Sequence, residues 1–335
     1  MNRYWTLSDR PVGGWPDEGT FELREGPIPT PGPGQALTRT IYVSLDPYQW
    51  GYKRRRSEPA GAPCHARTVA QVIESRMDGY APGDLVFNTN GWSEYGLMGE
   101  GVARPAYMIP RKLDPAKGRI SQAVGVLGML GLTAYSGMVL QCGVKAGETA
   151  VVSAASGGVG QIAGQLARLR GARVVGIAGG PDKCRSVVEE LGFDECIDYR
   201  QFPDLKAMSG ALKAACPSGI DGYFENVGGL LLDAVMLRAN AFARIAMCGM
   251  IAGYNGEPIP MTLPQLILTN RMKIEGFIVS EHMEAWPEAL KELGTMVATG
   301  KLKYRETVAQ GLENAPEAFF GLLKGKNQGK QLVKL

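Results

Sequence analysis

A chain of 335 residues suggests about two domains of roughly 150 residues each, and 45% hydrophobic with 21% charged residues describes an ordinary globular protein with a sizeable core. A formal net charge of +3 is too small to argue for a nucleic-acid or membrane surface. Six scattered cysteines (Cys64, Cys142, Cys184, Cys196, Cys216 and Cys248) have no C-x-x-C spacing, so neither a zinc knuckle nor a redox dithiol is indicated, and a reducing compartment is expected. Met1 to Gly19 holds no apolar core of the signal-peptide kind, which points to a cytoplasmic protein.

The first third reads as β-rich. Gly26–Gly34 is too proline-dense for a helix or a central strand. Strands are expected at Ala36–Val43, Thr68–Glu74, Leu85–Asn88 and Tyr95–Leu97, punctuated by turns such as Ala81-Pro82-Gly83-Asp84. The basic run Lys53-Arg54-Arg55-Arg56 reads either as a solvated loop or as a rim that attracts an anionic group. Ala123–Leu140 is uncharged for 18 residues, at the lower length limit of a membrane span. Its four glycines, Thr133, Tyr135 and Ser136 make it a buried helical connection instead.

From about residue 120, apolar runs alternate with helical stretches. Strands are expected at Thr149–Ser153, Arg173–Ile177, Glu195–Asp198, Gly222–Glu225, Arg244–Met247 and Lys273–Val279, with helices starting near Gly158, Pro181, Asp204, Leu230 and Pro264. This rhythm implies a parallel sheet covered on both faces. The tail from Pro287 reads as helix, turn at Thr299-Gly300, strand near Lys303–Val308, helix from Asn314 and a last strand, Lys330–Leu335.

The segment Thr149–Gly160 is a strand running into a glycine-rich turn and a helix. Against the dinucleotide pattern G-x-G-x-x-G it offers Ala155, Gly157 and Gly160, with alanine in the first position. Gly157 allows the backbone to approach a pyrophosphate, Gly160 allows the helix to pack on the strand, and the helix N-terminus supplies amides and a positive dipole. The second strand ends in Ala178-Gly179-Gly180, where an NAD-specific site would place an acidic residue for the ribose 2′-hydroxyl. Lys183 follows, with Asp182 beside it. Space and a cation favour a 2′-phosphate, hence NADPH.

The chain resembles the medium-chain dehydrogenase/reductase superfamily, in its zinc-independent branch of leukotriene B4 dehydrogenases, prostaglandin reductases and NADPH-dependent double-bond (alkenal, curcumin-type) reductases. The resemblance runs through Ser44–Tyr48, Gly91–Tyr95, Gly131–Tyr135, Ser153–Gly160, Phe224–Gly229, Cys248–Asn255, Gly276–Val279 and Gly325–Lys330. It implies an α/β fold: a Rossmann doubly wound parallel sheet (residues 123–290, binding NADP(H)) plus a β-rich GroES-like catalytic domain (residues 1–122, completed by 291–335). It places Thr133, Ala155, Ser156, Gly157, Gly158, Val159, Gly160, Gly179, Asn226, Val227, Cys248, Gly249, Ile251, Tyr254, Phe277, Ile278, Val279 and Asn327 along the cofactor, with Lys183 and Tyr199 gripping the 2′-phosphate. Tyr254 matches a tyrosine that hydrogen-bonds the substrate carbonyl, and Tyr48 lies on the substrate side. The resemblance also implies a homodimer joined through the edge strand near Lys273–Val279. One stretch departs from the family: Cys64-His65-Ala66-Arg67 stands where a glycine-rich run is usual, so Arg67 either reshapes the pocket, binds an anionic substrate or sits on the rim.

Only two histidines, His65 and His282, no G-H-E motif and no clustered cysteines make a catalytic zinc site improbable on ligand grounds. Without a Lewis acid, a conjugated enone or enal suits the site better than a simple ketone. Hydride then adds at the β-carbon while charge spreads to an oxygen that a neutral phenol such as Tyr254 can hydrogen-bond. Two further readings remain: a quinone or carbonyl reductase on the same scaffold, and a non-catalytic NADPH-binding protein.

Overall fold

The structure, a computed structural model, describes residues 1–10 and 13–335 and separates into two units, Met1–Gly125 with Glu306–Leu335, and Val126–Arg305. The first unit opens with an antiparallel pair, β1 (Asn2–Leu7) and β2 (Phe21–Gly26). Both strands are half-exposed, and neither shows an apolar alternation strong enough to read in advance. The long β3 (Gln35–Ser44) organises a larger sheet, pairing with β4 (Thr68–Ser75) and β6 (Tyr95–Gly99). Beyond β4 lie β5 (Leu85–Asn88) and the two-residue β7 (Arg111–Lys112).

Between β3 and β4 runs a helix the sequence did not announce, α1 (Tyr48–Arg54). Pro47, at φ −57°, starts it in helical geometry. Its basic end corrects the solvated-loop reading of the Lys53–Arg56 run. Lys53 is fully buried, pairs with Glu58 at 2.9 Å and lies over the rings of Trp92 and Phe319. Only Arg55 and Arg56 are exposed. Lys53 is therefore a core cation whose charge is offset by a carboxylate and two ring faces.

The second unit begins with α2 (Met129–Ala134), continued by a π-helical turn over Tyr135–Gln141. Then follow β8 (Thr149–Ser153), α3 (Gly160–Leu169), β9 (Arg173–Ala178), α4 (Pro181–Glu189), β10 (Glu195–Asp198) and α5 (Leu205–Ala215). The run continues with β11 (Ile220–Glu225), α6 (Leu230–Met236), β12 (Ala239–Met247), α7 (Gln265–Thr269), β13 (Lys273–Gly276) and α8 (Trp286–Ala298). Every strand pairing is parallel, in the order β10-β9-β8-β11-β12-β13. Counted from β8 this is 3-2-1-4-5-6, the doubly wound Rossmann order, with its switch point between β8 and β11.

Strand β8 shows why its residues are apolar without alternation. Ala150 and Val152 pack with Ile162 and Leu166 of α3 on one face, while Val151 packs with Leu212 of α5 and Val235 of α6 on the other. Asp204, near which the sequence placed the helix start, caps α5 by accepting the Ala207 amide at 2.8 Å.

Two details differ from expectation. The sixth strand ends at Gly276, because the Ile278 amide donates to Glu281 Oε2 at 2.8 Å and the chain turns into a 3₁₀ segment from Val279. Residues 291–305 belong with the second unit, since Leu293 and Leu302 are buried in the same core cluster as α3. The chain then rejoins the first unit with β14 (Glu306–Gln310), α9 (Ala315–Leu323) and β15 (Lys330–Lys334). There β15 pairs with both β14 and β3. Among the described residues no helix is long and apolar enough to cross a membrane.

Candidate active site

At the switch point the C-terminal ends of β8, β11 and β12 are tied together by hydrogen bonds. Ser153 Oγ donates to Glu225 Oε1 at 2.9 Å and accepts the Asn226 amide at 2.8 Å, and Asn226 Nδ2 donates to the Ser153 carbonyl at 2.7 Å. The amides of Cys248 and Gly249 both donate to the Glu225 carbonyl, at 2.9 and 3.1 Å. The Ile251 amide donates to Asn226 and the Tyr254 amide to Ile251. Asn226, Val227, Cys248, Gly249, Ile251 and Tyr254, which the sequence nominated one by one, thus form one hydrogen-bonded ledge. Ser153 and Glu225, which hold it, were not nominated as site residues. The Glu225 carboxyl is buried, which pushes its pKa up, while the Val227 amide and Ser153 pull the other way.

The glycine loop sits beside that ledge. Ala154 has φ +48°, a left-handed conformation uncommon outside glycine, at the point where β8 breaks into the turn. A Cβ at Gly160 would lie 2.4 Å from the Ala154 carbonyl oxygen, so only glycine lets α3 start this close to the strand. No side chain caps the start of α3. The amides of Gln161 and Ile162 already donate to the carbonyls of Gly157 (3.1 Å) and Val159 (3.0 Å), so a phosphate at this helix start would meet the glycine turn itself.

Beyond the tip of β9 is a second polar corner. A Cβ at Gly179 would meet the Tyr199 ring at 2.9 Å and Arg200 Nε at 3.2 Å, so the bare glycine backbone permits both side chains to close over it. Asp198 is an ionised carboxylate at the edge of this corner: burial would raise its pKa, but its Oδ1 is turned to the amides of Gly180 (2.8 Å) and Arg200 (3.2 Å), which with the Arg200 cation lower it. Asp182, adjacent in sequence, is exposed and pairs with Arg185 at 3.0 Å. Lys183 is half-buried, and its pKa is lowered by burial and then by the neighbouring Arg200 cation. Two cations and a phenol therefore share a place where the nearby carboxylates are engaged, Asp198 with backbone amides and Asp182 with Arg185, an arrangement that suits a dianionic phosphate. Arg200 was missed, although its position directly after Tyr199 was a usable signal.

The Tyr254 hydroxyl turns back over the ledge, 3.2 Å from where a Cβ on Gly249 would sit. Burial raises its pKa, so it is a neutral donor at physiological pH. Phe277 and Val279 are buried, Phe277 edge-on to Phe224 at 6.3 Å, while Ile278 between them is 60% exposed. Thr133 lies on α2, half-buried.

Tyr48 and Asn327 belong to the first unit. Asn327 is held just before β15 by its Nδ2 donating to the Gly329 carbonyl at 2.8 Å. Tyr48 stands at the start of α1 beside a buried ionic cluster. Asp46 Oδ2 receives Arg67 Nη2 and Ser44 Oγ, both at 2.6 Å, and Asp46 Oδ1 receives Lys330 Nζ at 2.8 Å. Arg67 is 1% exposed, which corrects the rim reading: it is a core residue paired with Asp46. Burial would raise the Asp46 pKa, but Arg67 and Lys330 hold it well below the carboxylate range. Lys330 is lowered to about 8, by burial first, with Asp46 opposing and Arg67 adding to the shift.

The Tyr48 hydroxyl and His65 Nε2 are 3.2 Å apart. His65 is lowered to about 4 by burial and by the cations Lys53 and Arg67, so its imidazole is neutral. Burial pushes the Cys64 thiol up to about 12. A protonated thiol beside an imidazole already engaged by a phenol is a poor donor set for a metal. Among the described residues no three His, Cys, Asp or Glu side chains are grouped to hold one.

Comparison with known proteins agrees with this architecture. Residues 3–103 match the family described as the N-terminal domain of oxidoreductase, and residues 158–295 the family described as zinc-binding dehydrogenase. The NADPH-dependent curcumin reductase of Escherichia coli (strain K12) is 42% identical, over 100% of this chain and 97% of its own. The NADP(+)-dependent 2-alkenal reductase of Nicotiana tabacum is 39% identical, over 96% and 94%. The crystal structure of CurA from Vibrio vulnificus in complex with NADPH superposes with a TM-score of 0.85 at 39% identity, covering 99% of this chain and 98% of that one. With this likeness carried over its whole length, the chain belongs to the medium-chain dehydrogenase/reductase superfamily, in the branch of curcumin, prostaglandin and alkenal reductases.

Proposed function

We propose that this protein is an NADPH-dependent reductase of the C=C bond of α,β-unsaturated ketones and aldehydes, acting without a catalytic zinc. The observation that carries the cofactor choice is the corner of Lys183, Tyr199 and Arg200 beyond an uncharged strand tip. The reaction class rests on the relatives named above. When bound, NADPH supplies the hydride that adds to the β-carbon.

The remaining chemistry belongs to the chain. The Gly157–Gly160 turn at the start of α3 receives the pyrophosphate, and the ledge of Asn226, Val227, Cys248 and Gly249 supports the ribose and nicotinamide. The neutral Tyr254 phenol donates to the substrate carbonyl oxygen, where negative charge gathers as the enolate forms. Tyr48 is a second phenol on the substrate side, kept protonated by burial.

The test is a side-by-side assay of an alkenone, an alkenal and a quinone with NADPH, with products identified. Saturated carbonyl products support the reading. Consumption of the quinone alone overturns it in favour of a quinone reductase, and tight NADPH binding without turnover of any of the three overturns it in favour of a binding protein.

A further inference from the structure

Helix α2 does not stop at Ala134 but widens into the π-helical turn Tyr135–Gln141. There the Cys142 amide reaches the Gly137 carbonyl at 2.9 Å, and the Gly143 amide the Met138 carbonyl at 3.1 Å. A π turn is rare inside a helix and is found most often at functional sites. A Cβ on Gly137 would lie 2.5 Å from Phe224 Cε2 and 2.7 Å from Phe277 Cζ. Two buried rings therefore rest on bare backbone, edge to face with centroids 6.3 Å apart and planes at 75°. Nothing larger than glycine fits between helix and rings as they stand.

The two rings are not held equally. Phe224 lies on β11 inside the sheet, in register with Val152 of β8 and Ala246 of β12. Phe277 follows Gly276, the last residue of β13, an edge strand that pairs only with β12. A group forced against both rings displaces Phe277 rather than Phe224.

We propose that Gly137 is a positioning residue for the nicotinamide: by leaving room for the Phe277 ring against Phe224, it fixes the wall on which the reacting end of NADPH rests. This rests on the proposed cofactor and on the place of Phe277 beside the nicotinamide; the crowding at Gly137 does not. Thr133, four residues earlier on the same helix, belongs to the same proposed cofactor wall. The other end of the cofactor is independent of it. The corner of Lys183, Tyr199 and Arg200 follows β9 and β10, on the far side of β8 from β11. Hydride transfer depends on near-contact geometry, so a small shift of the wall acts on turnover before it acts on the 2′-phosphate.

The experiment compares wild type with Gly137→Ala in the full-length protein. Alanine is the better helix former, so at an uncrowded helical position the change would stabilise; here the melting temperature should fall. Binding of NADPH and of 2′-phospho-ADP-ribose, which keeps the 2′-phosphate but lacks the nicotinamide, is measured by calorimetry, and kcat is measured with an alkenone. The fragment should bind as in wild type, NADPH about 10-fold more weakly, and kcat should fall about 10- to 100-fold, the scale of an ångström of misplacement. In a Phe277→Leu background, where the ring is gone, adding Gly137→Ala should cost less than it does in wild type. A raised melting temperature, unchanged NADPH affinity and kcat, equal weakening of NADPH and fragment, or the same cost in both backgrounds overturns the proposal. If Gly137→Ala does not fold, Phe224→Leu takes its place. It removes the ring against which Phe277 is set and should give the same split between NADPH and fragment; wild-type constants in that variant overturn the proposal. If wild type turns over no alkenone, the proposed reaction fails, and the two binding constants still decide the role of Gly137.

Discussion

Arg67 Nη2 lies 2.6 Å from Asp46 Oδ2, and both side chains are inside the fold, with Lys330 at 2.8 Å on the other carboxylate oxygen. One carboxylate thus serves two buried cations. Removing the shared anion is costly, because it leaves both buried charges without their carboxylate, whereas removing Arg67 leaves Asp46 paired with Lys330. Asp46→Asn is expected to destabilise the protein by about 3–5 kcal/mol. Arg67→Met, which keeps much of the volume, is expected to cost less or nothing. Urea denaturation of both variants checks this, and equal losses would contradict the shared-anion description.

The same cluster sets a pH dependence through His65, whose pKa falls to about 4 inside the fold, by burial first and then by the cations Lys53 and Arg67. In the unfolded chain it returns to about 6.5. Above pH 6.5 the residue is neutral in both states and has no effect. Between 6.5 and 4 the unfolded chain binds a proton that the native protein refuses, so stability declines as pH falls. Below 4 the loss levels off, at up to about 3 kcal/mol. Denaturation of wild type and His65→Gln at pH 7 and 4.5 should show a smaller acid loss in the variant; an identical loss would place the acid sensitivity elsewhere.

The fold was legible where burial forces a pattern. Strands β8 and β9 lie between two helical layers and read as near-continuous apolar runs, and the start of α5 was read near Asp204. Strands β1 and β2 were hidden because a half-exposed two-stranded pair needs no strict alternation. Helix α1 was hidden by the charge run at its end, where Lys53 is buried by partners distant in sequence, Trp92 and Phe319. The nucleotide loop was legible because phosphate contact restricts backbone and residue size together. Arg67 was misjudged for the converse reason: its partner Asp46 meets it only through the β3–β4 pairing region, which spacing does not reveal. Residues of the 2′-phosphate corner fell between these cases. Lys183 was read from the uncharged strand tip before it and Tyr199 through resemblance, while Arg200, next to Tyr199 in the chain, was passed over and is placed at the corner by its approach to Gly179.

That corner makes a cofactor-specific prediction. Lys183→Ala should raise the Michaelis constant for NADPH by about 10- to 100-fold, the worth of a lost charge-assisted hydrogen bond to phosphate. The constant for NADH should barely move, since a ribose hydroxyl carries no charge. Arg200→Ala should act in the same direction. Equal effects on both cofactors would remove the 2′-phosphate from this corner.

Tyr254 makes a prediction about turnover. Its hydroxyl lies over Gly249 and is the group offered to the carbonyl oxygen. Tyr254→Phe keeps the ring and deletes the donor, so kcat for an alkenone should fall about 10²-fold while NADPH affinity is nearly unchanged. Full activity in Tyr254→Phe would move the donor elsewhere, with Tyr48→Phe the next variant to measure.

Strand β13 is an edge of the six-stranded sheet, paired on one side only. In the same unit Leu268 is 80%, Phe242 63% and Ile278 60% exposed, and α7 has no buried residue. Such apolar surface beside an open strand favours a symmetric partner, so a homodimer is expected through this edge. An antiparallel pairing centred on Ile274 would set Lys273 of each copy against Glu275 of the other, the two residues that pair within the strand at 2.7 Å. Sedimentation velocity should show a dimer that Leu268→Asp or Ile278→Asp dissociates. Lys273→Glu should weaken it a few-fold, and adding Glu275→Lys should restore it. A monomeric wild type, or a dimer indifferent to all of these changes, would leave the β13 edge as ordinary solvent-facing surface, protected by its own charges.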